Sequence, residues 1–245
     1  LRQNARELGI LLDRLDAVVL SHGHYDHTGA LKEVLERAKA ARIYLHPDAI
    51  EPKYARNASP PHHYIGISTA GLRALDAACS RIVWTPTPQT IAPGVIATGE
   101  IPRRTDFEDA GGPFYRDSAC EKPDSIPDDQ ALVVETVSGV VVLLGCAHSG
   151  VVNTLERVAE IKNRRQVLAV LGGMHLRSAS EERLRNTADA LEAFGIATIA
   201  PCHCTGANAI AFFGPRFGTR LRECTAGSSF VLPPQADGGK RQGAS

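Results

Sequence analysis

An α/β fold is predicted for this chain of 245 residues by three features. Short apolar runs alternate with stretches whose apolar residues recur at helical spacing, the pattern of sheet layers covered by helices. Four of the runs, DAVVLS, VVVLLGCA, VLAVLGGM and IATIAPC, each lead into a histidine: His22, His148, His175 and His203. A sheet whose strands deliver imidazoles at their carboxyl ends gathers them on one edge, where α/β proteins build their sites. The mass of 26.2 kDa suits one large α/β domain, read here as residues 1–232.

Each element follows from its residues. DAVVLS at 16–21 reads as a strand that stops where the histidines begin. TGALKEVLERAKA then sets Leu31, Val34, Leu35 and Ala38 on one face, so a helix begins beside His27. RIYLH is the next strand, ended by Pro47, and in 47–80 PPHH reads as a turn and TAGLRALDAA as a short helix. IVWTP and GVIATGEIP are short strands separated by turns. The charged tract 103–130, rich in Gly, Pro and Asp, is a long loop over one face, a length that often marks function.

The second half is more regular. ALVVETVSGVVVLLG splits at Ser138-Gly139 into a hairpin, VVNTLERVAEIKN is a helix and VLAVLGG a strand. SASEERLRNTADALEAFG opens on a capping box from Ser178 to Glu181 and stops at Gly195. IATIAP, GANAIAFFGPRFG and SSFVL complete the order as strand, helix and final strand. The tail 233–245 carries no core-forming pattern and reads as disordered.

Composition excludes several functions. Lys plus Arg equals Asp plus Glu at 27 each, so no general field draws nucleic acid. No apolar run reaches the roughly 18 residues of a membrane span. The six cysteines are spaced too loosely for a disulfide scaffold, which favours reduced thiols and a cytoplasmic location. Cys202 and Cys204 of PCHCTG read first as small buried filler beside His203, with metal binding or a redox response as alternatives. With Leu1 first and Met174 the only methionine, targeting is left open.

The chemistry concentrates in HGHYDH, where His22, His24, Asp26 and His27 occupy six positions. These are more donors than one tetrahedral ion needs. Residues 22 and 24 can share one side of an extended segment while 26 and 27 turn toward another point, an arrangement suited to two adjacent ions. Burying so many ionisable groups without a cation would be costly. His148 and His203, each after a strand and before a glycine turn, join as candidate ligands, with a bracing role as the alternative. His175 binds a second ion, contacts substrate or braces a ligand. His46, before a proline, reads as structural, and His62 and His63 as surface or substrate-facing.

Hydrolysis is the most economical chemistry, because a divalent ion lowers the pKa of its water to roughly 7 and supplies hydroxide at neutral pH. Asp26 would orient the water and His175 would polarise substrate or move a proton. One or two divalent ions are expected, zinc first, with manganese or iron as alternatives. The expected substrate is a small anionic molecule: a phosphate ester, a phosphodiester or an activated carbonyl. Arg103 and Arg104 of TGEIPR, and the helix starts after His27 and Gly150, are candidates to hold its charge.

The strings SHGHYDHTGAL, HPDA, TGEIPR, DDQALVVET, GCAHSGVVNTL, GGMHL and PCHCTG resemble the metallo-β-lactamase fold superfamily. Within it they are similar to the group named for 7,8-dihydropterin-6-methyl-4-(β-D-ribofuranosyl)-aminobenzene-5′-phosphate synthase. The resemblance implies an αββα sandwich, with one ion on His22, His24 and His148 and the other on Asp26, His27 and His203. It implies first-sheet strands that this chain lacks, hence an exposed strand edge should the molecule begin at Leu1. It also implies a bridging carboxylate, where this chain offers His175. The group's label implies condensation of a dihydropterin pyrophosphate with a ribosyl-aminobenzene phosphate as an alternative reaction. An oxidoreductase using a separate flavin partner and a non-catalytic metal-stabilised scaffold or fragment are further alternatives.

Overall fold

Runs of β-branched residues and amphipathic stretches alternate along the chain, and the strands and helices follow them. In chain order the strands are β1 (Ala17–Val19), β2 (Arg42–Leu45), β3 (Tyr54–Ala55), β4 (His63–Tyr64), β5 (Ile82–Trp84), β6 (Gln89–Ala92), β7 (Val95–Ala97), β8 (Phe114–Tyr115), β9 (Leu132–Thr136), β10 (Gly139–Leu144), β11 (Ala169–Gly173) and β12 (Thr198–Cys202). The α-helices are α1 (Arg2–Glu7), α2 (Tyr25–Thr28), α3 (Leu31–Arg37), α4 (Thr69–Ala77), α5 (Val151–Lys162), α6 (Glu181–Ala193) and α7 (Ala207–Phe217). The structure, a computed structural model, describes residues 1–232; the tail expected to be disordered lies outside them.

Two main sheets lie between helices. The smaller is parallel, in the order β1-β2-β5, and the larger runs β12-β11-β10-β9-β7-β6. The larger sheet is parallel across β10, β11 and β12 and antiparallel beyond, so three successive strands send their carboxyl ends the same way. A short antiparallel sheet, β4-β3-β8, stands apart. On the smaller sheet, Leu31 and Leu35 of α3 and Leu75 of α4 pack with Ile43 and Leu45. On the larger one, Leu155, Leu191 and Phe213 from α5, α6 and α7 pack with Val142, Val170 and Ile199. Each such side chain contributes about 1.5–3 kcal/mol when fully buried, so these two clusters hold the halves of the sandwich. Among the described residues β1 pairs with β2 alone.

Three expectations are corrected. The helix after the histidine cluster is two helices, α2 and α3, broken at Gly29 and Ala30. The His24 carbonyl takes bonds from the His27 and Thr28 amides and the Thr28 hydroxyl, closing α2 as a separate turn that carries Asp26 and His27. The N-cap of α6 is Ser180, whose hydroxyl accepts from the Arg183 amide at 3.1 Å, so the Ser178–Glu181 box does not form. SSFVL makes no strand: Val231 stands exposed, and β12 meets only an isolated bridge from Leu221 on that side.

Candidate metal centre

The carboxyl ends of β1, β10, β11 and β12 converge, and the segments that follow them carry His22, His148, His175 and His203. Ala147, His175 and His203 adopt left-handed backbone, with φ of 53°, 47° and 53°. Such positions cost about 1–3 kcal/mol each and persist where surrounding structure imposes them. Here they turn the chain sharply at strand ends, so that each imidazole faces the same point.

His22, His24 and His148 form the inner group, with ring nitrogens within 4.8 Å of one another. Their Nε2 atoms are buried and have no hydrogen-bond partner. His148 Nδ1 lies 2.7 Å from the Ala110 carbonyl, which can only accept. The proton therefore sits on Nδ1, and the Nε2 lone pair faces the cluster. Burial holds His22 and His148 well below the usual imidazole range and His24 at about 4, so all three are neutral donors at pH 7. Leaving three buried nitrogens unpaired costs about 1–3 kcal/mol apiece, and a divalent cation removes that cost. The residues fit a metal ion.

Asp26, His27 and His203 form the outer group, which is more exposed. His203 Nε2 lies 3.2 Å from Asp26 Oδ2 and 3.3 Å from His27 Nε2, and His27 Nε2 lies 3.6 Å from that carboxylate oxygen. Two N or O donors on one tetrahedral zinc sit about 3.3 Å apart, so the three separations already match the edges of a coordination tetrahedron. Burial lowers His27, keeping it neutral.

His175 lines the cavity beside the inner group, its ring centroid 4.3 Å from that of His148. Its Nε2 is 3.2 Å from the Gly111 carbonyl, and its Nδ1 is buried without a partner. Gly111 has φ +82°, and a Cβ there would fall 1.8 Å from the His175 ring. Cys146 lies beside the histidines, Sγ 3.1 Å from His27 Nε2. The hydrogen bond between Cys146 and Cys204 raises the former thiol and lowers the latter, to about 4.

A cavity of about 670 Å³ opens over these groups, lined by Asp26, His148, His175 and His203 together with Arg177 and Arg183. Arg183 is buried and pairs with Asp109 at 2.6 Å. Arg103 and Arg104 do not line it, a correction to their reading as substrate contacts. Arg103 donates to the Ser125 carbonyl, and Arg104 pairs with Glu160 on α5. His46 caps the turn after β2, accepting from the Asp48 amide at 3.1 Å, and is structural as its sequence setting implied.

Residues 1–203 match the metallo-beta-lactamase superfamily. The chain belongs to that superfamily. A 7,8-dihydropterin-6-methyl-4-(beta-D-ribofuranosyl)-aminobenzene-5′-phosphate synthase of Methanocaldococcus jannaschii is 29% identical over 230 residues, 91% of this chain and 78% of that one. An uncharacterised protein of the same organism is 34% identical over 215 residues, 86% of this chain and 76% of that one. Among solved structures, Tm1679, described as a metal-dependent hydrolase of the beta-lactamase superfamily, superposes with a TM-score of 0.78 at 30% identity. The match covers 95% of this chain and 85% of that one.

How this metallo-β-lactamase fold braces its histidines was not visible in the cluster itself. Asp128 Oδ2 accepts from the Gly23 amide at 2.7 Å, between His22 and His24. Asp129 Oδ2 accepts from the Ser149 amide at 2.7 Å, beside His148, and burial pushes this carboxyl up to about 6. The Gln130 amide and side chain donate to the Ser21 and Leu20 carbonyls. Three consecutive residues thus tie both histidine loops together. Lys53, 1% exposed, closes the arrangement with Asp128 at 2.7 Å and Asp124 at 3.0 Å. Gly23 is required there, since a Cβ would meet the Ala49 carbonyl oxygen at 2.1 Å. At α5, whose N-cap Gly150 has no side chain to offer, Glu108 accepts from the Val152 and Asn153 amides at 2.9 Å each. The carboxylate sits at the positive end of that helix.

Proposed function

We propose that the chain is a hydrolase of small anionic substrates, a phosphate ester, a phosphodiester or an activated carbonyl, working with two divalent ions. The observation that carries this reading is the pair of donor groups at the floor of one cavity whose wall holds Arg177 and Arg183. His22, His24 and His148 would hold one ion, and Asp26, His27 and His203 the other. Zinc suits this nitrogen-rich set, with manganese or iron as alternatives. Bound there, a divalent ion acidifies a water toward neutrality and stabilises charge developing on the substrate oxygen.

The chain's own residues do the rest. Arg177 and Arg183 draw the anion in, and the Asp109 carboxylate keeps Arg183 turned toward the cavity rim. Asp26 orients the attacking water. His175 donates through Nε2–H to the Gly111 carbonyl, which leaves Nδ1 as the lone pair that takes or returns a proton. Six unpaired thiols suit a reducing, cytoplasmic setting. Among the described residues no helix is long and apolar enough to cross a membrane.

The test is elemental analysis of metal content joined to a panel of phosphomonoesters, phosphodiesters and thioesters. About two ions per chain, with turnover of one class that stops on chelation and returns with zinc, is the expected result. Full metal occupancy without turnover of any of them would reject the hydrolase. The name of the 29% identical relative supports a second reading, synthesis of a dihydropterin ribosyl-aminobenzene phosphate. Formation of that product in place of any hydrolysis would favour it.

A further inference from the structure

We propose that Cys146 Sγ is a ligand common to both ions, a bridging thiolate. The inference rests on the two-ion reading above. Cys146 is buried just beyond the end of β10, and its Sγ belongs to three donor groups: with His22 and His27, with His148 and His175, and with His203 and Cys204. Within each group all donor atoms lie within 4.8 Å of one another. Cys146 therefore reaches His22 and His148 of the inner group and His27 and His203 of the outer group. Among the described residues no carboxylate does so, since Asp26 belongs to the outer group alone.

The separations suit coordination. A thiolate and an imidazole on the same tetrahedral zinc sit about 3.5 Å apart, and Cys146 Sγ is 3.1 Å from His27 Nε2. The Nε2 atoms of His22 and His148, in residues 0% and 1% exposed, are unpartnered in the same cluster and point independently to a cation there. An imidazole nitrogen has one lone pair to give, whereas a thiolate sulfur has enough for two ions. Binding breaks the S–H bond, sends the proton to solvent and forms two S–metal bonds with no change of oxidation state. Cys204 does not share this position. Its Sγ joins only the group with Cys146 and His203 and lies 3.6 Å from the Cys146 carbonyl oxygen. A soft donor between the ions selects thiophilic metals over manganese and magnesium.

The experiment loads the full chain with cadmium and records cadmium NMR alongside Cys146→Ser and Cys204→Ser, with metal content by elemental analysis and folding by circular dichroism. In the wild type two resonances are expected at sulfur-ligated positions. Both move upfield in Cys146→Ser, and neither does in Cys204→Ser. Movement of a single resonance, or of none, in Cys146→Ser overturns the bridge. Should Cys146→Ser fail to fold, Cys204→Ser carries the test: two sulfur-ligated resonances support the bridge, and one or none overturns it. Two bound ions in wholly nitrogen- and oxygen-ligated positions would reject the thiolate and leave the two-ion centre standing. A wild type that takes up no cadmium, zinc or cobalt would reject both.

Discussion

The inner and outer donor groups use the same chemistry in opposite surroundings. His22, His24 and His148 are buried and neutral with unpaired Nε2 atoms, whereas Asp26 and His203 are exposed and already contact each other. A buried nitrogen lone pair without a partner is costly, so the inner group has much to gain from an ion. The outer group, part-solvated and internally paired, gains less. The difference teaches that burial, rather than donor type, separates a group that gains most from a cation from one already satisfied in part by its neighbours and solvent.

The largest effect that sharpens this contrast is a ligand deletion in each group. His24→Ala is expected to lose the inner ion and lower turnover by more than about 100-fold, since even outer-shell changes cost up to that much in metal affinity or activity. His203→Ala is expected to keep about one ion per chain. Elemental analysis checks both, and loss of both ions from either variant would mean that the groups are not independent. Next comes Asp128→Ala, which strips Lys53 of its nearer partner and the Gly23 amide of its acceptor. Breaking a buried pair on one side costs about 3–5 kcal/mol, read as a fall in the urea midpoint. The same change at an exposed pair such as Lys32 with Glu36 is worth no more than about 1 kcal/mol.

A separate effect is the pH dependence of the metal-free protein. His24 titrates near 6.5 when unfolded and at about 4 when folded, so the unfolded chain binds the proton first as pH falls. Its contribution is present above 6.5 and lost on the way down to 4, about 3 kcal/mol in all. His22 and His148 act in the same direction. Asp129, raised to about 6, acts oppositely: its contribution is present below the unfolded carboxyl value and lost as pH rises through 6. Four lowered histidines, His27 among them, stand against the two raised carboxyls of Asp129 and Glu108, so thermal midpoints are expected to fall between pH 6.5 and 4, with a shallower fall in His24→Ala. An unchanged slope in that variant would place the proton uptake elsewhere.

Much of this was legible in the sequence because strand, turn and histidine are adjacent along the chain. The apolar runs before His148, His175 and His203 are neighbouring strands of the larger sheet, while the run before His22 belongs to the smaller one, so the expected single sheet is two sheets whose strand ends bring the imidazoles together. What lay out of reach depends on contacts between distant segments. Asp128 meets Gly23 across 105 positions, and Lys53, in a tract with no clear periodicity, is buried only because Asp124 and Asp128 come to it. Glu108 looked like one charge among many in a polar loop, yet it caps α5. The misread end, SSFVL, has strand-forming residues, but no partner strand lies along it.

The tripeptide from Asp128 to Gln130 has one further consequence. Because neighbouring α-carbons are fixed about 3.8 Å apart by covalent geometry, the two loops that Asp128 and Asp129 grip are gauged by a bond-length ruler rather than by how well either core is packed. One tripeptide therefore spans the seam, and a shift of either half of the sandwich strains the same short piece of backbone.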